Sequence, residues 1–302
     1  VYHDTVGLAS QIAAGTTELK SPICSVFIAR AILDTASGLQ EKKVVTPIGN
    51  ITHPFAPTRE LSTEKERDIK MTSPTNPQDI WKQRAALAAA NLVTEGMVIG
   101  LGTGTTADYL IKALGERLHN GLHIVGAVAS SQASTELAAS VNIPITSLDI
   151  YPEIDIYIDG ADEIDPQMRL IKGAGGALLR EKIVASAAKS FIVIADPTKK
   201  VEQLGHRFPL PVEVVPLAIH PITLSLSRLG AAVKLRQRNG TTFVTDNHNV
   251  ILDCTFPDGI SDPVELDARI HCIVGVIETG LFINLAKQII IGGPEGVEIY
   301  PQ

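Results

Sequence analysis

Between residues 97 and 195, short apolar runs alternate with longer amphipathic ones, and this alternation narrows the possible folds more than any other feature. Residues 97–101, 123–129, 144–148, 154–159 and 191–195 read as buried strands, and residues 107–120, 131–140 and 177–189 as helices between them. Strands and helices in strict alternation imply a parallel sheet with helices on both faces. A further helix is predicted over 76–93, with Asn76 as cap, Pro77 at its first position and Asp79 in its first turn. Its apolar face is expected along Ile80, Ala86, Leu87 and Ala90.

From about residue 208 the rhythm changes. Strands are expected at 212–215, 232–236, 242–245, 250–253 and 273–278, with helices over 218–229 and from Asp262. Asp246, Asn247, His248 and Asn249 have the composition of a hairpin turn. The order β-α-β-β-β-α-β suggests a small α+β unit of the ferredoxin-like type. Residues 280–300 are strand-like, interrupted at Gly292, Gly293 and Pro294, and are expected to rejoin the first sheet. The predicted fold is therefore α/β. A Rossmann-like domain spans 71–207 and 280–302, with a smaller α+β domain inserted at 208–279.

Residues 1–70 lack the alternation, and Pro47, Pro54 and Pro57 break their second half. They read as an N-terminal extension, with a start at Met71 as the expectation. They show no basic stretch running directly into an apolar core, so a secretory signal is not expected. No apolar run approaches the roughly 18 residues of a membrane span. Net charge is −7 with no dense basic run, which argues against a nucleic-acid partner. Cys24, Cys254 and Cys272 lack paired spacing and read as buried thiols in a reducing, cytoplasmic setting.

Chemistry concentrates in residues 156–182. A strand, IYID, runs into four carboxylates within seven residues: Asp159, Asp162, Glu163 and Asp165. Lys172 follows, then Gly173-Ala174-Gly175-Gly176, then a helix bearing Glu181. Acids at the carboxyl end of a strand, a lysine and a glycine-rich helix start mark a ligand site in open α/β sheets. The alternatives are a calcium loop, whose D-x-[DN]-x-[DN]-G spacing is absent, and a solvated acidic turn. A second glycine loop, GLGTGTT, ends the strand at 97–101. It fails the dinucleotide fingerprint, because Thr105 stands at the third glycine position, and it lacks the G-K-[ST] of a P-loop. Thr103, Gly104, Thr105 and Thr106 suit one phosphate monoester, or else a simple helix cap. On residues alone Glu181 is either a base or a surface helix glutamate, and Lys172 either an oxyanion partner or a solvated lysine. His206, His220 and His248 lack metal-ligand spacing and read as structural or solvent-facing.

Taken together, GTGTT at 102–106, DGADE at 159–163 and KGAGGALLREK at 172–182 resemble ribose-5-phosphate isomerase, type A. FIVIADPTKKV, FPLPVEVVP and VTDNHNVILD extend the resemblance from about Asn76 to the end, leaving 1–70 outside it. The resemblance implies interconversion of ribose 5-phosphate and ribulose 5-phosphate, without metal or other cofactor, by a homo-oligomer such as a homodimer or a dimer of dimers. It implies Glu181 as general base, with Asp159 and Lys172 also catalytic. It assigns substrate binding to Thr103, Gly104, Thr105 and Thr106, to Asp159, Gly160, Ala161 and Asp162, and to Lys172, Gly173, Ala174 and Gly175. Lys199 and Lys82 would pair with the phosphate. Where the family usually has GTGST, Thr105 replaces the serine and keeps the hydroxyl. Competing readings are an acyl-CoA transferase with a glutamate nucleophile and a non-enzymatic sugar-phosphate sensor.

Overall fold

The computed structural model of the chain describes residues 76–301, and the expectations for residues 1–70 lie outside these. A six-stranded sheet contains β1 (Val98–Leu101), β2 (Gly126–Ala129), β3 (Ile156–Asp159), β6 (Phe191–Ala195), β14 (Ala286–Gly293) and β15 (Gly296–Tyr300), in the order β15-β14-β6-β3-β1-β2. All its pairings are parallel except β14 with β15, an antiparallel edge hairpin. β1, β3 and β6 are buried along their whole length, as strands covered on both faces require. The helices beside this sheet are α1 (Pro77–Ala90), α2 (Thr105–His119), α3 (Gln132–Ser140) and α4 (Leu178–Ala187). The chain leaves β1 toward β2 on one side and then crosses back to β3 on the other. The carboxyl ends of β1 and β3 therefore flank the point where strand order reverses, where ligands bind in such sheets.

Asn76 caps α1 as expected, its side chain accepting from the Gln78 N–H, but the buried face differs from the predicted one. Ala85, Ala86, Ala89 and Ala90 are buried and Leu87 is exposed. Small residues bring α1 close to the sheet; a Cβ on Gly292 of β14 would collide with the Trp81 carbonyl. The strand expected at 144–148 is a single bridge, Ala127 to Ile145, because β2 is the sheet edge and offers only a short partner.

The second sheet has the order β12-β7-β11-β8, all antiparallel, from β7 (Leu210–Val214), β8 (Ala232–Leu235), β11 (Val250–Thr255) and β12 (Val276–Thr279). It carries α5 (Ile219–Arg228) and α6 (Pro263–His271), with buried Ile222, Leu226 and Ile270 in its core. That order is the ferredoxin-like one, in keeping with the type suggested by the element sequence. Residues 242–245 do not form the expected strand. β9 (Gln237–Arg238) and β10 (Thr241–Thr242) make a small hairpin, and only Val244 bridges to Val250. The hairpin-turn reading of 246–249 holds: Thr245 N–H donates to the Asn249 carbonyl and His248 N–H to the Thr245 carbonyl. A third, three-stranded sheet joins β4 (Glu163–Ile164), β5 (Leu170–Ile171) and β13 (Leu281–Phe282) in the order β13-β5-β4. Of the cysteines, Cys254 is buried but Cys272, at the end of α6, is exposed. No helix among the described residues is long and apolar enough to cross a membrane.

Candidate active site

A cleft of about 200 Å³ opens at the carboxyl ends of β1, β3 and β6. Its wall brings together every predicted site residue except Asp159: Lys82, the 103–106 loop, the 160–162 turn, the 172–175 loop, Glu181 and Lys199. Residues from position 82 to position 199 thus converge on one space.

The 103–106 loop ends β1 and starts α2. Gly104 is the cap residue, with φ near +99°, and no side chain caps the helix. Only glycine adopts that conformation without strain. The first N–H groups of α2 therefore have no acceptor of their own and face an incoming anion. The Thr103 hydroxyl is engaged by Ser130 Oγ at 2.8 Å, so this residue offers backbone more than hydroxyl to a ligand. Ser134 Oγ donates to the Gly102 carbonyl at 2.7 Å and completes a buried serine cluster behind the loop. Lys199 reaches the same space from the turn after β6. Gln78 of α1 ties that turn down through Asp196 Oδ2 at 3.1 Å and Thr198 Oγ1 at 3.3 Å. Lys82, one helical turn further along α1, sits 3.4 Å from Asp79.

The four clustered carboxylates serve different purposes. Asp159 has no exposed surface and lies behind the cleft wall instead of on it. Its oxygens accept from Thr103 N at 2.9 Å, Gly160 N at 2.6 Å, Tyr157 Oη at 2.5 Å and Lys172 Nζ at 2.8 Å. Burial, then the charge of Asp159, holds the Tyr157 phenol well above its ordinary pKa, so it remains a donor. Asp162 faces the cleft and accepts from Ala174 N at 2.9 Å; burial raises its pKa, against that hydrogen bond. Glu163 is structural: it accepts from the N–H groups of Gly205, Arg207 and Phe208. Asp165 closes its own turn and pairs with Arg169.

Lys172 and Glu181 are both only 3% exposed, with Lys172 Nζ 3.2 Å from Glu181 Oε2. The ammonium gives its hydrogen bonds to Asp159 and to the Gly160 carbonyl at 2.7 Å. Glu181 Oε2 is left with a nearby charge but without a hydrogen bond. Burial pushes the Glu181 carboxyl up to about 8, with the Asp159 charge adding to the rise and the Lys172 charge opposing it. Burial would lower the Lys172 pKa, but Asp159 and Glu181 outweigh it and keep the ammonium charged. The result is a buried carboxylate without a hydrogen bond on Oε2, beside a permanent cation, at the edge of a cationic cleft.

The family model of ribose 5-phosphate isomerase A (phosphoriboisomerase A) matches residues 126–296. The chain is 49% identical over 221 residues to ribose-5-phosphate isomerase A of Roseiflexus sp. (strain RS-1), covering 72% of this chain and 94% of that protein.

The chain belongs to the ribose 5-phosphate isomerase A family.

Solved members superpose on it closely. A D-ribose-5-phosphate isomerase in complex with phospho-erythronic acid gives a TM-score of 0.70 at 43% identity, over 72% of this chain and 96% of that one. Ribose 5-phosphate isomerase from Plasmodium falciparum gives 0.71 at 36% identity, over 73% and 97%.

Several residues around this isomerase-family cleft escaped the sequence reading. Tyr157, Ser130, Ser134 and Arg236 all brace it from behind. Ser130 and Ser134 could have been found from topology, since the end of β2 must lie beside the end of β1. Arg236 could not, because it arrives from the second sheet. Outside the cleft, the fold brings together three side chains that were not singled out in the sequence. Asp267, His271 and Glu278 bring one ligand atom each to within 4.8 Å of one another. Asp267 and His271 stand four apart on α6, a spacing legible in the sequence. Lys182 Nζ, 2.6 Å from Glu278 Oε1, already supplies positive charge there. His206, His220 and His248 are exposed, as expected.

Proposed function

We propose that this chain interconverts ribose 5-phosphate and ribulose 5-phosphate through an enediolate. The observation that carries the reading is the Glu181 carboxylate: buried, beside Lys172, and opening on a cleft whose other end is a cationic, uncapped helix start. The phosphate belongs at Thr105, Thr106, Lys199 and Lys82, where N–H groups and ammonium charges converge. With the phosphate there, the open-chain sugar extends toward Glu181, and its hydroxyls meet Asp162, Gly160 and Ala161.

Glu181 takes the proton from C2, and the electron pair moves through the new C1–C2 double bond onto the carbonyl oxygen. Lys172 and the Gly175 backbone N–H face the oxygen where that charge develops. The oxygen on C1 then receives the proton released from the C2 hydroxyl, and Glu181 returns its own proton to C1. A raised pKa suits both halves, since one carboxyl must accept a proton and then give it up. In this reading Asp159 acts as a positioning residue, holding Lys172 and the Thr103 N–H, and does not carry protons between sugar hydroxyls. Residues 71–207 with 280–302 form the catalytic domain and 208–279 the smaller one. The protein is read as a cytoplasmic homo-oligomer.

The test is incubation with ribose 5-phosphate and direct detection of ribulose 5-phosphate. Absence of the ketose at equilibrium would remove the reading. Thioester trapping with an acyl-CoA would then favour a transferase that uses Glu181 as nucleophile.

A further inference from the structure

The 172–175 loop is gripped from outside the catalytic sheet. Arg236, in the segment between β8 and β9, donates from Nη1 to the Gly173 carbonyl at 2.6 Å and to the Ala174 carbonyl at 3.3 Å. Its other guanidinium edge is held by Asp253 of β11, with Nη2 to Oδ1 at 2.5 Å and Nε to Oδ2 at 3.0 Å. The pair is largely buried, at 11% and 20% side-chain exposure. Two parallel bonds to one carboxylate fix the guanidinium plane, so its remaining donor has a set direction.

That direction matters because a peptide unit is planar and trans. The Gly173–Ala174 unit is clamped at both edges: Arg236 holds its carbonyl and Asp162 Oδ2 accepts its N–H. In the next unit Arg236 holds the Ala174 carbonyl, so the Gly175 N–H must point the opposite way. Gly175 lines the cleft, and among the described residues no acceptor takes its N–H. Arg238 adds a weaker contact to the Gly175 carbonyl at 3.4 Å. Phe243 packs on Gly176, where a Cβ would overlap its ring.

We propose that Arg236, braced by Asp253, is a positioning residue that aims the Gly175 N–H at the oxygen of the enediolate. This rests on the isomerase reading of the cleft. It assigns the inserted sheet a part in catalysis, delivered through backbone carbonyls and without contact to the sugar.

The experiment compares Arg236→Ala, Arg236→Lys and Asp253→Asn with the parent. Readouts are kcat/KM for ribose 5-phosphate, the affinities for phospho-erythronic acid and for inorganic phosphate, and amide hydrogen exchange over 173–176. Phospho-erythronic acid carries a planar carboxylate where the enediolate has its oxygens, whereas inorganic phosphate tests only the other end of the cleft. Arg236→Ala is expected to lose about tenfold or more in kcat/KM and in phospho-erythronic acid affinity, the scale of a misaimed oxyanion donor. Exchange at Gly175 should accelerate while phosphate affinity stays unchanged. Arg236→Lys should recover part of the loss, because one ammonium cannot hold both Asp253 and the carbonyls. Parallel weakening of both ligands, or no change in either, would overturn the proposal. Should Arg236→Ala fail to fold, Asp253→Asn, which keeps the guanidinium but frees its plane, gives the same readouts. If the parent does not isomerise ribose 5-phosphate, the functional reading fails, and Gly175 exchange in the variants still decides the role of Arg236.

Discussion

Lys172 Nζ lies 3.2 Å from Glu181 Oε2 yet directs its hydrogen bonds to Asp159 and to the Gly160 carbonyl. The lysine therefore tempers the charge of Glu181 as an ion-pair partner, while its well-formed hydrogen bonds go elsewhere. Were the ammonium hydrogen-bonded to Glu181 instead, the carboxylate would be a weaker base. Asp159 prevents this, and Tyr157 and the Thr103 N–H in turn hold Asp159.

The pH dependence follows from that arrangement. Glu181 must be ionised to take a proton, and burial, opposed by Lys172, sets its pKa at about 8. The profile of kcat/KM against pH should rise through a limb centred near that value. Asp159→Asn removes a negative charge that raises the Glu181 pKa, so the limb should move to lower pH. Initial rates across a pH series measure both, and a parent limb near the ordinary glutamate value of 4.5 would contradict the burial argument.

Stability should respond in the opposite sense. With the folded-state pKa of Glu181 raised above the unfolded value, the folded protein binds the proton more tightly. Its contribution is fully present below about 4.5 and is lost as pH rises toward about 8. Glu181→Gln removes the cost of burying the ionised group. Above pH 8 the variant should be more stable than the parent by at least about 1 kcal/mol, seen as roughly 2–4 °C in Tm. Thermal melts at pH 5 and pH 9 test this; an equal Tm difference at both would count against it.

Tyr157→Phe should cost about 1–3 kcal/mol, because a buried carboxylate loses a short donor. The ring itself stays packed: Tyr157 stacks on Phe191 with centroids 4.9 Å apart. Denaturant unfolding gives the stability change, and no loss would mean that water replaces the phenol on Asp159.

Much of this was legible in the sequence, for identifiable reasons. Strand–helix alternation is local, so β1, β3 and β6 and their parallel arrangement could be read from apolar runs. The loops at 102–106, 159–163 and 172–176 were legible because glycine and clustered acids mark backbone geometry. The α+β character of the second unit also followed from its element order. Other features depended on contacts between distant segments. Leu87 looked like part of the helix's buried face, but close approach of α1 to Gly292 favours its alanine stripe. Asp159 reads in the sequence as a site acid, and only the fold shows the four donors converging on it. Glu163 and Asp165 looked like Asp159 in sequence, yet one ties down the 205–208 backbone and the other its own turn.

Removal of divalent ions should leave turnover intact. In the cleft Lys172 already stands where a metal would otherwise supply positive charge to an enediolate. The Asp267–His271–Glu278 cluster belongs to α6 and β12, outside the cleft wall. Loss of activity in EDTA, restored by a divalent ion, would refute this.

A chain beginning at Met71 should fold and turn over at the parent rate. Every element described above begins at or after Pro77, and every site residue lies beyond it. Insolubility or a large fall in rate would assign residues 1–70 to the fold.

If Glu181 carries the proton between C2 and C1, Glu181→Gln must abolish that transfer. Glutamine keeps the volume and cannot take a proton at neutral pH. Turnover of ribose 5-phosphate should fall about 10²–10⁴-fold, the usual cost of removing a general base. Affinity for phospho-erythronic acid, held by the 103–106 loop, Lys199 and Lys172, should change far less; Lys199→Ala should show the reverse balance. A Glu181→Gln protein that turns over within a few-fold of the parent would rule out Glu181 as the base and move the proton transfer to another carboxylate.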